Sequence, residues 1–596
     1  MTKKKQIDAL PVWDLEALYP SPEAWERDFA AIEPMTREFA AWKGKLAASA
    51  ANFRAAIEAQ DRVDRLAEKV YSYAHLRSDE NTADNANHSR VDRLESLFAS
   101  LAPLEAWFEP EVMAIPDARM AELLAAPELA FYRRSIEELL REKKHILPER
   151  EEELLGTLSE VTGNADKCFE MLNDADLTFG KIRDESGKPR ELTHGSYLKF
   201  LESPDRAVRR RAFRRLYTRY QSFRNTFAAT LEGAVKRHTV SAKIRHYPSA
   251  LAASLSGDEI PEAVYTDLIA AVRAKLPALF RYFELRRRIL GVDRLAMYDL
   301  HSPLLPACRE EYSFARAVEL VRGALAPLGD TYCRDLERAF SERWIHAPEV
   351  KGKRSGAYSG GCYDSYPYVL LNYNGTLNDV FTLAHELGHS MHSFYSNRTQ
   401  HFHYAGYRIF VAEVASTVNE TLLFEHLLTQ AKSKEARAFL YGHFINEIRG
   451  TIYRQTMFAE FELAIHRLAE SETPLTADTL CETYYKLNAD YHGPGVHTDR
   501  LIELEWARIP HFYYNFYVYK YATGMSAALA LAAGIRSGDA AKRDAYLAFL
   551  KAGDTKPVLE LLRDAGVDLA TPQPVSAALD YFDSLVGKLG NELGLR

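Results

Sequence analysis

The sequence predicts a mainly α protein, and three observations predict it. Over most of the 596 residues, apolar side chains recur every three or four positions, the period of a helix with one buried face. Strand signals are confined to two short places, residues 177–193 and 368–373. The chain is also long enough for a large core and for two or more domains.

Taken in order, helices are expected from Asp64 to Leu76, Arg90 to Ala106, Glu149 to Leu158, Ala207 to Tyr220 and Pro261 to Leu290. Residues 177–182 and 190–193, joined by Asp184-Glu185-Ser186-Gly187-Lys188, read as a β-hairpin with a glycine in its turn. A domain boundary is expected near Ser203-Pro204-Asp205, dividing the chain into 1–205 and 206–596. The arginines that follow, from Arg206 to Arg219, alternate with Val208, Phe213, Leu216 and Tyr217 and read as the solvated face of a helix. Further on come a short strand at 368–373, a turn at Asn374-Gly375-Thr376, and two mostly buried helices, Asp379 to Phe394 and Phe410 to Leu423.

Composition excludes several classes. A net charge of −8 with 27% charged residues argues for solubility and against nucleic acid as a partner. The N-terminal Met1-Thr2-Lys3-Lys4-Lys5 is followed by Asp8, Pro11 and Asp14 rather than by the apolar core of a signal peptide. The apolar run Met525 to Ile535 is too short to span a bilayer, so no membrane partner is expected. Five scattered cysteines, Cys168, Cys308, Cys333, Cys362 and Cys481, read as free thiols of a reducing compartment, and the expected location is the cytoplasm.

The chemistry is carried by His385-Glu386-Leu387-Gly388-His389. On a helix, histidines at i and i+4 share a face and can reach one tetrahedral zinc, with Glu386 beside it. Zinc lowers the pKa of water to about 7, and a neighbouring carboxylate can take the proton released. The pattern implies hydrolysis of an amide bond. A random chain of this composition would show it about one time in twenty, so its setting on a buried helix matters as much as its letters.

A catalytic zinc takes three protein ligands. A longer motif with a third histidine on the same helix is ruled out, because His392 and Tyr395 stand where it would need Gly and His. The helix from Phe410 to Leu423 instead carries Glu413 and Glu420 on one face, and a carboxylate in an apolar helix is costly unless paired or metal-bound. Glu413 is the expected third ligand. Glu420, two turns on, is placed either to hydrogen-bond a ligand histidine or to form a plain salt bridge. His392 is a candidate for a similar supporting contact, with a packed core histidine as the blander reading. The segment Ser355 to Gly361 lacks a phosphate-binding signature and reads as a mobile loop; Gly360 and Gly361 are expected next to a strand that pairs with extended peptide.

These segments resemble the thimet oligopeptidase family of zinc metallopeptidases, in its oligoendopeptidase F branch. The resemblance rests on 385–392, on Ala412-Glu413-Val414-Ala415-Ser416-Thr417, on Gly356-Ala357-Tyr358-Ser359-Gly360-Gly361, on residues 506–517, and on Trp13-Asp14-Leu15-Glu16-Ala17-Leu18-Tyr19-Pro20. It implies a zincin-like helical fold with a small β element near the active-site helix, a deep substrate channel, one zinc ion per chain, and oligopeptides as substrates. It agrees with Glu413 as third ligand. It also implies that C-terminal tyrosines, here Tyr514 and Tyr517, steady the oxyanion, as phenol donors can. A histidine precedes them in the relatives; His511 is taken for it, with His497 as the other candidate.

Two rivals stay open at this level. A helical zinc carboxypeptidase would grip the substrate carboxylate with Arg408, Arg500 or Arg508. A non-catalytic peptide-binding protein with structural zinc would have no need of Glu386. Oligomeric state and cleavage preference are not legible.

Overall fold

Side-chain caps open several of the helices in the computed structural model, which describes residues 10–305 and 311–595. The stretch Met1 to Asp8 and Cys308 therefore lie outside the described residues. The chain forms two compact units, each assembled from three stretches: Met1–Lys144, Glu310–His426 and Leu531–Gly566 in the first, and His145–Arg309, Leu427–Ala530 and Val567–Arg596 in the second. Residue 205 falls inside the second unit, so the division into 1–205 and 206–596 stands only as a proposed sequence division.

In the first unit, helices Pro22–Ala40, Ala50–Glu80 and Asn85–Glu105 begin at Ser21, Ser49 and Asp84, whose side chains accept the first free backbone N–H groups. Their apolar faces enclose a core that also takes in Trp13, Tyr19, Cys362, Tyr368 and Leu370. The N-terminal segment is thereby pinned to a helix end and to a small sheet: the Trp13 indole donates to Glu80 at 2.6 Å, and the Tyr368 hydroxyl donates to the Asp14 carbonyl at 2.7 Å. In that sheet, Tyr368–Leu370 is central, parallel to Ile345–His346 and antiparallel to Tyr358–Gly360. The segment expected as a mobile loop thus contains an edge strand, with Ser359 opposite Val369. Two helices complete the site region, Leu377–Thr399 and Ile409–Gln430. The first starts at a reciprocal cap, Thr376 accepting from the Asp379 N–H and Asp379 accepting from the Thr376 N–H.

The second unit holds the expected hairpin, Lys181–Arg183 against Pro189–Glu191, its turn closed by Asp184 and by Gly187 at φ 78°. The helix Arg206–Gln221 shows its expected solvated face at Arg210, Arg211, Arg214 and Arg215, but Arg209 is buried and pairs with Asp299 at 2.9 Å. The single helix expected from Pro261 to Leu290 is two, Glu262–Ala274 and Leu276–Leu290. Pro277 has no N–H to continue the ladder and its ring would strike the carbonyl a turn back. Among the described residues no helix is long and apolar enough to cross a membrane.

Candidate metal centre

Close helix packing creates the site. Gly388 lies where the helix Leu377–Thr399 meets Ile409–Gln430, and a Cβ there would stand 2.5 Å from the Ser416 Cα and 2.7 Å from the Ala415 carbonyl oxygen. Asn419 locks the pair by donating to the Ala384 carbonyl at 3.0 Å in the buried seam. The side chains just above converge. His385 Nε2 and His389 Nε2 are 3.2 Å apart, and Glu413 Oε2 lies 3.3 Å from the first and 3.4 Å from the second. These three are the group of donors among the described residues that can hold one metal ion.

The donor set fits a dication of the zinc type: two imidazoles and a carboxylate, with a fourth side left to water or substrate. Its surroundings are strongly electronegative. Burial alone would lower the basicity of His385, but Glu413 and Glu420 override it and push the imidazole up to about 10. Burial likewise opposes ionisation of Glu413, yet hydrogen bonds from His385 and His389 hold its carboxyl far below the usual range. Ser416 Oγ donates to Glu413 Oε2 at 3.0 Å and fixes its rotamer. Glu420 Oε1 lies 2.8 Å from His385 Nδ1, a contact that serves as hydrogen bond and as ion pair alike.

Glu386 points into the same region from a nearly closed position, 6% exposed. Burial raises its carboxyl above the ordinary value, opposed by the neighbouring histidines. Ser390, one turn further, donates to the Glu386 carbonyl at 2.9 Å and meets Ser359 Oγ at 2.8 Å, tying the edge strand to the helix. A cavity of about 270 Å³ opens beside Gly360 and Gly361 and is bounded by Glu68, Ser393 and Tyr407. Cys362 borders it, but burial pushes its thiol up to about 11, which suits an inert core cysteine.

His392 does not join the donors. It is buried and stacks on Tyr407, ring centres 3.8 Å apart and 6° from parallel, and burial pulls it down to about 3. Tyr514, Tyr517, His511 and His497 belong to the second unit. His511 stacks on Tyr517 at 6.1 Å and meets the Tyr521 hydroxyl at 3.2 Å, while Tyr514 is 54% exposed. His497 is exposed on the strand Val496–His497. Between the two tyrosines, Asn515 and Phe516 adopt left-handed conformations at φ 49° and 61°. Glu462 holds this turn: fully buried, it accepts from the Phe516 N–H at 2.6 Å, and burial pushes its carboxyl up to about 8. No spacing rule marks Glu462, which reads as one more carboxylate on a helix. Of the arginines a carboxypeptidase would need, Arg408 pairs with Glu138 and Asp554, and Arg500 with Glu482 and Glu503.

A helical fold, a His-Glu-x-x-His helix and a carboxylate-bearing partner helix define a helical metallopeptidase. Comparison with known proteins carries this further. Residues 199–581 match the family described as Peptidase family M3, and residues 111–179 match Oligopeptidase F. The chain is 41% identical over 587 residues to Oligopeptidase PepF of Bacillus subtilis, covering 98% of this chain and 88% of that one. It is 38% identical to Group B oligopeptidase PepB of Streptococcus agalactiae, covering 99% and 98%. Among solved structures, oligoendopeptidase-F from Enterococcus faecium superposes with a TM-score of 0.75 at 36% identity, covering 96% of this chain and 99% of that one. A putative peptidase from Chlamydophila abortus gives 0.92 at 35% identity, covering 98% and 99%. The chain belongs to peptidase family M3, in its oligopeptidase F branch, and is a metalloendopeptidase.

Proposed function

We propose that the enzyme is an oligoendopeptidase that holds one zinc ion per chain on His385, His389 and Glu413 and cleaves internal bonds of short peptides. The observation that carries the reading is the convergence of those three donors beside a buried Glu386. When bound, zinc supplies a Lewis acid at that point. Glu386 takes the proton of the attacking water and returns it to the leaving amine, and burial raises its basicity above that of an ordinary carboxylate. Tyr514 and Tyr517, with His511, donate to the developing oxyanion. An extended peptide adds to the free edge of Tyr358–Gly360, where backbone hydrogen bonds bind with little regard to side chains. The names of the relatives, oligopeptidases and oligoendopeptidases, support a substrate of limited length. A cytoplasmic location is supported by Cys168, Cys333, Cys362 and Cys481, all free.

The test is cleavage of an internally quenched peptide of about eight residues, blocked at its C-terminus, by wild type and Glu386→Gln, with zinc measured on both. The variant is expected to keep its zinc and lose at least about 10²–10⁴ in kcat. Equal activity, or no metal on either protein, ends the proposal. Activity that requires a free C-terminal carboxylate would instead support a carboxypeptidase.

A further inference from the structure

Four guanidinium groups lie close together in the second unit, and two of them, Arg454 and Arg508, approach the carboxylate of Glu505. Arg449, Arg454 and Arg508 line a cavity of about 220 Å³ together with Glu505 and His301. Arg286, with no exposed surface, is near enough to act electrostatically on both Arg449 and His301.

The negative charge on hand is already committed. Glu505 accepts from Arg454 at 2.7 and 3.3 Å, from the Tyr484 hydroxyl at 2.7 Å and from the Tyr217 hydroxyl at 3.2 Å. Burial opposes its ionisation, but Arg454 and Arg508 hold the carboxyl down at about 2. The carboxylate of Asp299 is taken up by Arg206 and Arg209. Glu447, another carboxylate that acts on Arg449, is solvent-exposed.

Apart from Arg454, these positive groups have no carboxylate within ordinary hydrogen-bond distance among the described residues. Arg449 forms no ion pair among the described residues and reaches only Asn446 Oδ1 at 3.4 Å and the Leu300 carbonyl at 3.5 Å. Arg508 Nε is buried without an acceptor, and its closest carboxylate approach is 3.9 Å, to Glu505. Arg286 donates to the backbone carbonyls of Asp299 and Ser302 and to the Tyr282 hydroxyl, all neutral. His301 and His492 do not alter the balance, because burial holds the first well below its ordinary value and the second down at about 4.

Three guanidinium groups face a cavity whose lining includes one carboxylate, Glu505, so the cavity wall carries surplus positive charge that an anion would neutralise. Planar guanidinium forks select oxygen anions, to which they donate two hydrogen bonds at a time. We propose that this cavity binds a small doubly charged oxyanion, of which inorganic phosphate is the simplest, gripped by Arg449, Arg454 and Arg508. Arg508 stands three residues before His511, so the occupant fixes the start of the segment that carries Tyr514 and Tyr517.

The test titrates the full-length, zinc-loaded enzyme with inorganic phosphate, ionic strength being held constant with chloride, and reads thermal unfolding and phosphorus NMR line width. Saturable stabilisation and broadening beyond those of chloride are expected, with Arg449→Gln weakening the apparent affinity about tenfold or more. Phosphate that does no more than chloride overturns the proposal on the wild type alone, whether or not the variant folds. Binding unchanged in a folded Arg449→Gln also overturns it, as does purely competitive inhibition against peptide, which would place the anion in the substrate path.

Discussion

His385 Nδ1 and Glu420 Oε1 meet at 2.8 Å across 35 residues of sequence. With Glu420 engaging Nδ1, Nε2 is the nitrogen that would be offered to a metal beside His389 and Glu413. Glu420→Gln keeps the shape but weakens the acceptor, so zinc affinity should fall about 10–100-fold, read by competition with a chelator.

Gly388 allows the two site helices to touch. In Gly388→Ala the new methyl would meet backbone at Ser416 and Ala415, which cannot yield as a flexible side chain could. A loss of about 1–3 kcal/mol of stability is expected, with zinc content reduced alongside; calorimetry and metal analysis check both.

The neighbouring glycines should behave differently. A Cβ on Gly361, at φ 155°, would lie 2.6 Å from the Tyr366 carbonyl oxygen, whereas one on Gly360 would meet only the Tyr358 ring at 3.3 Å. Gly361→Ala should lower the melting temperature by several degrees, an effect of about 1–3 kcal/mol. Gly360→Ala should fold normally and show its effect in KM. Equal melting temperatures for the two variants would contradict this.

Glu462 sets a pH dependence. Its folded value of about 8 lies above the ordinary value of 4.5, so the folded protein holds a proton there that the unfolded chain releases. Stability is therefore undiminished by this group below about pH 4.5 and declines as pH rises toward 8. Glu462→Gln should flatten that decline and keep the Phe516 N–H acceptor. Glu462→Leu should lower kcat, because nothing then holds the left-handed turn between Tyr514 and Tyr517. Urea unfolding from pH 5 to 8, with kcat on both variants, checks the pair.

Much of the centre was legible because metal chemistry imposes spacing. His385, Glu386 and His389 follow from one helical turn, and Glu413 and Glu420 from the cost of carboxylates on an apolar helix. What escaped lacks such a signature. Tyr358–Gly360 looks like a loop because glycines disguise strands, and only its pairing with Tyr368–Leu370 reveals it. The stop before Leu276 depended on weighing Pro277 against strong periodicity on either side. Compact units made of three stretches each leave no mark at any single boundary. Glu462 and the arginines around Glu505 are ordinary surface residue types whose burial arises only from tertiary packing.

The edge strand Tyr358–Gly360 is three residues long. It can offer an arriving peptide only two or three main-chain bonds, each worth about 0.5–1.5 kcal/mol net. On the proposed pairing, that would be enough to align a chain over the reactive groups and too little to retain the two fragments once the chain is cut. The same brevity denies another molecule a template long enough to zip onto, so the exposed edge is a poor seed for polymerisation.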